Sequence, residues 1–432
     1  MSLALYRAVT AAGGPLIRSY LDRRRRAGKE DPERYRERLG EPSRPRPHGP
    51  LVWIHAASVG ESLSVLPLVD RLRAERPQLN LLVTTGTVAS ARLIAGRLAA
   101  GAIHQYVPVD RAPWVRRFLD HWRPDLALWV ESEFWPNALA ELAARRVPAV
   151  LLNARISARS YAGWRRAPWL IRRLLATFSL ALAQTEDDAR RLAALGAANV
   201  ASPGNLKYAA APLPADEAAL GSLRAAIGGR PVWLAASTHP GEEAIVADSA
   251  DRVRAVLPGV LTVVAPRHPA RGTEIASLLA QHGVVARRAA GEPVADATAF
   301  YVADTMGELG LFYRLATVAF VGGSLVPHGG QNVLEPARLG AAIVHGPHMA
   351  NFAAVAQELA IAGGAVAVAD AASLADAVVR LLTDAEERRR RTAAAQAIAD
   401  GKDGLLDAVM ARLAPFLDDL AAPAKRAVNA GA

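Results

Sequence analysis

The chain has 432 residues, too long for one compact core, so two domains of roughly 200 residues are the first expectation. Hydrophobic residues make up 51% of it, enough to bury substantial cores, and the absence of cysteine excludes disulfides and thiolate metal sites. The formal net charge is +10, and residues 1–50, with 12 Lys/Arg against 6 Asp/Glu, carry +6 of that excess.

Residues 1–48 read as a basic, membrane-proximal segment. Arg23–Arg26 is its densest cluster and points to an anionic surface. The longest uncharged stretch, Ala8–Ile17, is interrupted by Gly13-Gly14-Pro15, whereas a spanning helix needs about 20 apolar residues. Arg18 and the arginine run stand where a secretory cleavage region would be. The expectation is an interfacial segment with Leu3, Leu5, Leu16, Ile17, Tyr20 and Leu21 at the lipid. A helix packed on its own domain is the alternative. No recognisable motif and no basic stripe interleaved with aromatics stands out, so nucleic acid is not expected as a partner.

Residues 49–208 follow as a series of short apolar runs at βα spacing. Strands are predicted over Leu51–His55, Leu81–Thr85, Ile103–Val107, Leu126–Val130, Ala149–Leu152 and Leu180–Gln184. After the first of them, Ala56-Ala57-Ser58-Val59-Gly60-Glu61 turns into a helix expected to bury Leu63, Leu66, Val69 and Leu72. Glu61 therefore stands where a strand's carboxyl end meets a helix start, the ligand edge of an open α/β sheet, and a carboxylate there suits a general base. On Glu61 alone, complementing the helix dipole is the simpler role. Glu131-Ser132-Glu133 and Asn153-Ala154-Arg155 follow later strands on the same edge. Lys207 is placed to reach that edge from the segment joining the two halves. Paired carboxylates with a lysine suit a charged sugar.

The texture changes over 205–217, a linker candidate running through Ala209–Ala211 to Pro214. A second βα series fills 209–402, with strands predicted over Val232–Ala236, Leu261–Ala265, Val284–Arg287, Phe300–Val302, Thr317–Val321, Ala342–His345 and Ala365–Val368. Three loops of this half look suited to a nucleotide. Arg267-His268 follows one strand, and an arginine fork suits a phosphate. Gly307-Glu308-Leu309 follows another, with glycine allowing close backbone approach. Asn332-Val333-Leu334-Glu335-Pro336 opens a helix after two glycines, and Glu335 is placed to accept from a ribose diol. Residues 403–432 read as an amphipathic helix and a frayed tail of about a dozen residues.

No Asp-x-Asp occurs, His345-x-x-His348 lacks partners, and no Walker loop or dinucleotide fingerprint is present, so neither a metal nor another cofactor is expected. The overall pattern is α/β: two Rossmann-like doubly wound domains facing across a cleft.

Taken together, the ordered blocks resemble the 3-deoxy-D-manno-octulosonic acid (Kdo) transferases of lipopolysaccharide assembly. They are Ala57–Glu61, Glu131–Asn137, Asn153–Arg155, Gly204–Lys207, Pro266–Pro269, Gly307–Leu309 and Asn332–Pro336, and they span nearly the whole chain. The resemblance implies a GT-B fold and inverting transfer of Kdo from CMP-Kdo to a lipid A precursor, lipid IVA, at the cytoplasmic face of the inner membrane. In it Glu61 matches the catalytic base, and Glu131 and Lys207 match positions that stabilise the transition state. Arg267, His268, Gly307, Glu308, Leu309, Asn332, Val333, Leu334 and Glu335 match CMP-binding segments. The first domain would take the acceptor and the second the donor. Two departures are a less continuous apolar N-terminus and Ser132 where threonine is common. The rival readings are another GT-B glycosyltransferase, a nucleotide-sugar epimerase, or a non-catalytic hinged binding protein; CMP rather than UDP preference separates the first reading from the enzymes.

Overall fold

Fourteen strands form two parallel sheets in the computed structural model, which describes residues 3–98, 101–209 and 212–421. The first sheet contains β1 (Leu51–His55), β2 (Asn80–Thr85), β3 (Ile103–Tyr106), β4 (Leu126–Val130), β5 (Ala149–Ala154), β6 (Leu180–Ala183) and β7 (Val200–Ala201). Their order is β3-β2-β1-β4-β5-β6-β7, and every pairing is parallel. Because helices cover both faces, the central strands are buried throughout and read as unbroken apolar runs. Alternate residues still part by face. Leu51, Trp53, Ala127 and Trp129 enter one core, while Val52, Ile54, Leu126 and Leu128 enter the other. The two-residue β7 is the one strand of this sheet without a predicted counterpart; two residues carry no readable period.

The second sheet contains β8 (Val232–Thr238), β9 (Leu261–Pro266), β10 (Val285–Arg287), β11 (Phe300–Val302), β12 (Val318–Val321), β13 (Ala342–His345) and β14 (Ala365–Ala367). Its order is β10-β11-β9-β8-β12-β13-β14. Both sheets are doubly wound: the chain fills one side of the first strand, then returns to fill the other. The switch points lie between β1 and β4 and between β8 and β12, and ligands of such sheets bind beyond the strands' carboxyl ends at that crevice.

The described chain divides into two units, Met1–Ala210 with Gly404–Ala432, and Ala211–Asp403. The helix Leu405–Ala421 buries Leu405, Val409, Met410, Leu413 and Leu417 in the first unit's core, at the spacing of one helical stripe. The frayed tail predicted after it, and Ala210–Ala211 of the linker candidate, lie outside the described residues.

Two apolar expectations need correction. In the helix Val59–Glu75, Leu63 is only partly buried, and Val65 and Leu68 join Leu66, Val69 and Leu72 inside. At the N-terminus, Leu3 and Leu21 are buried; Leu21 packs with Leu39 and Trp114, so neither is available to lipid. Leu5, Leu16 and Tyr20 remain exposed, as does Val9. No helix among the described residues is long and apolar enough to cross a membrane.

Candidate active site

Ser58 caps the helix Val59–Glu75, and its hydroxyl accepts the Glu61 amide at 3.3 Å. Glu61 occupies the third helical position and reaches back. One carboxylate oxygen accepts the Ser58 hydroxyl at 2.7 Å, the other the Ala57 amide at 2.7 Å. This is a capping box displaced by one residue at its amide end. Glu61 is 6% exposed, and burial pushes its carboxyl pKa up. The two hydrogen bonds pull it down, and the charges of Glu131 and Glu133 push it up again, leaving a net rise. The capping role and a basic carboxylate are therefore compatible in one side chain.

Glu131 follows β4 with φ 57°, and Asn153, the penultimate residue of β5, has φ 50°, both in the left-handed region that side-chain-bearing residues avoid. Such strain, of order 1–3 kcal/mol per residue, persists where the surroundings over-determine it. Here the Glu131 amide donates to Leu152 at 2.9 Å, and the Asn153 side-chain oxygen accepts the Leu206 amide at 2.9 Å. Asn205 caps the short turn Leu206–Tyr208 by accepting the Lys207 amide at 3.0 Å. These contacts bring Lys207 Nζ within 3.5 Å of Glu131 Oε1. A Cβ on Gly60 would lie 3.8 Å from the same Nζ, so Lys207 sits at the start of the Glu61 helix. Glu133 is engaged differently: Trp135 Nε1 donates to its carboxylate at 2.6 Å, and Trp129 donates to its carbonyl.

In the second unit the switch point is fastened by a residue the sequence reading missed. Glu242, fully buried, accepts backbone amides from His239 (3.0 Å), Gly323 (2.6 Å), Ser324 (2.9 Å) and Leu325 (2.9 Å). It ties the loop after β8 to the loop after β12. Gly322 permits their approach, since a Cβ there would meet the Ser237 carbonyl at 2.6 Å. The Arg267 amide donates to the Thr238 carbonyl at 3.0 Å, which brings Arg267-His268 to the same place. Arg267 and His268 are both exposed.

The other predicted donor residues offer less through their side chains. Glu308 is held by Arg288 at 2.6 and 3.1 Å and by the Thr305 hydroxyl, and these contacts keep its carboxyl below the usual range. Leu309 packs against the core, and Val333 and Leu334 are fully buried, which leaves them backbone groups to offer. Asn332 accepts the Leu334 amide at 3.0 Å and donates to Glu335 at 3.3 Å. Gly307 has φ 84°, with open space where a Cβ would stand. Among the described residues no group of three His, Asp or Glu side chains is arranged to hold a metal ion.

A basic stripe interleaved with aromatics does exist, against the sequence-based expectation. Between Glu141 and Glu186 stand eight arginines and no acidic residue. Six of them, Arg155, Arg159, Arg165, Arg166, Arg172 and Arg173, are exposed on and before the helices Ala158–Trp164 and Pro168–Leu175. None pairs with a carboxylate among the described residues, and Trp169 is 49% exposed beside them. In the N-terminal run, by contrast, Arg24 pairs with Glu30 and Arg25 with Asp22.

Two parallel, doubly wound sheets in separate units define the fold class of GT-B glycosyltransferases and the related epimerases. A putative UDP-N-acetylglucosamine 2-epimerase from Listeria monocytogenes has a similar solved structure, with TM-score 0.55 at 14% identity, covering 86% of this chain and 97% of that one. At that identity the likeness speaks for the fold alone. The family is reached by sequence. Residues 33–210 match the family model described as 3-deoxy-D-manno-octulosonic-acid transferase (kdotransferase). The 3-deoxy-D-manno-octulosonic acid transferase of Bordetella pertussis is 36% identical over 414 residues, 92% of this chain and 95% of that one. That of Haemophilus influenzae is 34% identical over 397 residues, 89% and 92% of the two chains. The chain belongs to the Kdo transferase family and is a glycosyltransferase that moves Kdo.

Proposed function

We propose that the protein transfers Kdo from CMP-Kdo to a hydroxyl of a lipid A precursor, with inversion and with Glu61 as the general base. The observation that carries this reading is the Glu61 carboxylate, fixed by the Ala57 amide and Ser58 hydroxyl at a switch point and raised in pKa by burial. The acceptor hydroxyl gives its proton to Glu61 as its oxygen bonds to the anomeric carbon of Kdo. The bond from that carbon to the phosphate oxygen breaks, and CMP leaves with the electron pair. Attack on the face opposite the leaving group inverts the centre. Lys207, beside Glu131, supplies positive charge to the transition state. The first unit takes the acceptor, and the second takes the donor through Arg267, His268 and the loops at Gly307–Leu309 and Asn332–Glu335.

The test is Glu61→Gln, which keeps size and removes the base. Turnover of CMP-Kdo on a lipid A precursor, read by mass spectrometry, is expected to drop 10²–10⁴-fold, the usual worth of general base catalysis, roughly, with CMP affinity unchanged. Near-normal turnover removes Glu61 from the role.

The acceptor lies in a bilayer, and the reading places the protein peripherally on an anionic membrane surface, at the cytoplasmic face of the inner membrane. The unpaired arginine ridge of residues 155–173 with exposed Trp169 supports that partner, since arginines attract anionic headgroups and tryptophan favours the interface.

A further inference from the structure

The helix Pro136–Ala144 begins without a capping side chain of its own, because Trp135 stands at its N-cap. Asp110, in the loop after the edge strand β3, supplies the cap from outside. Its Oδ1 accepts the Ala138 amide at 2.8 Å and its Oδ2 the Asn137 amide at 3.0 Å. The Asn137 side chain donates in return to the Asp110 carbonyl at 2.7 Å. A carboxylate at that end also complements the helix dipole.

Asp110 is itself held from the N-terminus, since the Tyr6 hydroxyl donates to Oδ2 at 3.0 Å. Burial and then the charge of Asp110 push the Tyr6 pKa up, so the phenol keeps its proton and donates throughout the neutral range. The helix Leu3–Ala12 that carries Tyr6 is docked by other contacts as well. Arg7 pairs with Glu141, Asn137 donates to the Thr10 hydroxyl at 3.2 Å, and Arg111 donates to the Ala11 carbonyl at 2.8 Å.

This fixture holds the loop that carries Glu131. Only residues 131–135 separate the end of β4 from the helix. At one end the Glu131 amide is tied to Leu152, and Phe134 is packed into the core. The His55 ring lies 4.4 Å from that of Trp129 and 4.9 Å from that of Trp135, so the loop's last residue rests on a buried aromatic floor. A short loop between fixed ends has little slack. A shift of the helix start therefore moves Glu131, whose positive φ persists only while its surroundings hold it.

We infer that Asp110, steadied by Tyr6, is a positioning residue of the transfer reaction: it sets the start of the helix Pro136–Ala144 and, through it, the place of Glu131 beside Lys207. This rests on Glu131 and Lys207 acting in the reaction as proposed above. Asparagine cannot stand in for this carboxylate. It keeps one acceptor oxygen and turns an NH₂ group toward the other amide, so one helix amide loses its partner whichever way the group is flipped. The N-terminal helix is thereby part of the support of the catalytic loop.

A double-mutant cycle tests this, with turnover of CMP-Kdo on a lipid A precursor by the full-length protein read by mass spectrometry. Asp110→Asn is expected to lower kcat about 10²-fold, the scale of a misplacement of about 1 Å, with KM for CMP-Kdo unchanged. In a Glu131→Gln background the same substitution is expected to cost less than about twofold, because the group it positions is already gone. Tyr6→Phe removes one hydrogen bond and leaves its helix docked through Arg7, Thr10 and Ala11, and is expected to repeat the pattern with a smaller loss. It carries the test if circular dichroism shows that Asp110→Asn does not fold. Full turnover in the variant that carries the test, or equal losses in the two backgrounds, overturns this inference alone. Full turnover in Glu131→Gln removes the role assigned to Glu131 and this inference with it.

Discussion

Ser58 and Glu61 hold each other at the start of one helix: the serine hydroxyl accepts the glutamate's amide and donates to its carboxylate. The second of these bonds favours the charged carboxylate, against a burial effect that disfavours it. Ser58→Ala removes the bond and leaves the burial, so the Glu61 pKa rises further. Activity that needs the carboxylate ionised disappears as pH falls through that pKa. The acid limb of kcat/KM is therefore expected at higher pH in Ser58→Ala, with the plateau at high pH reduced less than the rate on the limb. A pH–rate profile with an unmoved acid limb would show that Glu61 ionisation does not govern the rate.

The Lys207–Glu131 pair, at 3.5 Å, joins two segments through a backbone that is strained at Glu131 and pinned at Asn153. Lys207→Met keeps length and removes charge. It is expected to lower kcat about 10²–10³-fold, the range for losing one electrostatic stabiliser of a transition state. Lys207→Arg is expected to recover part of it. CMP affinity, measured alongside, is expected to stay as it was. A fall in CMP affinity equal to the fall in kcat/KM would make Lys207 a donor-binding residue instead.

How far the sequence disclosed this depended on the length scale of each feature. Strands such as Leu126–Val130 and Phe300–Val302 were predictable to the residue because burial on both faces leaves unbroken apolar runs. Val200–Ala201 was too short to read. The helix Leu405–Ala421 was visible as a stripe, but a stripe does not name the core it joins. Glu61 was placed correctly at its strand–helix turn because small residues between an apolar run and a helix mark such turns. Positive φ at Glu131, Asn153 and Ser237 is set by tertiary contacts and leaves no trace in composition. Glu242 was overlooked because its four partners are backbone amides, three of them about 80 positions away in sequence. The arginine ridge was present in the composition all along, as an acid-free stretch between Glu141 and Glu186, and was obscured by the denser run at Arg23–Arg26.

Glu242 gives a stability test that separates a carboxylate from its nearest isostere. All four of its hydrogen bonds are accepted from N–H donors. Glu242→Gln must turn an NH₂ group toward two of those donors, leaving buried polar groups unpaired at about 1–3 kcal/mol for each lost partner. Denaturant unfolding is expected to show a loss of that size in the transition of the second unit. Unchanged stability would mean that the two loops are held together without this carboxylate.

The membrane contact is predicted to lie on the arginine ridge more than on the N-terminal arginines. Arg24 and Arg25 already have carboxylate partners, which reduces the charge they present to a headgroup. Arg165, Arg166, Arg172 and Arg173 have none, and each is worth about 1 kcal/mol near an anionic surface. Converting these four to glutamine is expected to reduce binding to anionic vesicles more than converting Arg23–Arg26, and raised salt is expected to weaken the unaltered protein in the same way. Trp169→Ala is expected to reduce binding further at high salt, where the apolar part of the contact remains. Turnover on a short-chain soluble acceptor is expected to change little in the Arg23–Arg26 variant, since none of these four arginines is assigned to the chemistry. Vesicle flotation that depends on Arg23–Arg26 and not on the ridge would move the contact to the N-terminal helices, where Leu5, Leu16 and Tyr20 are exposed. An oligonucleotide that displaces the protein from vesicles at equal charge would instead make the ridge a nucleic-acid surface.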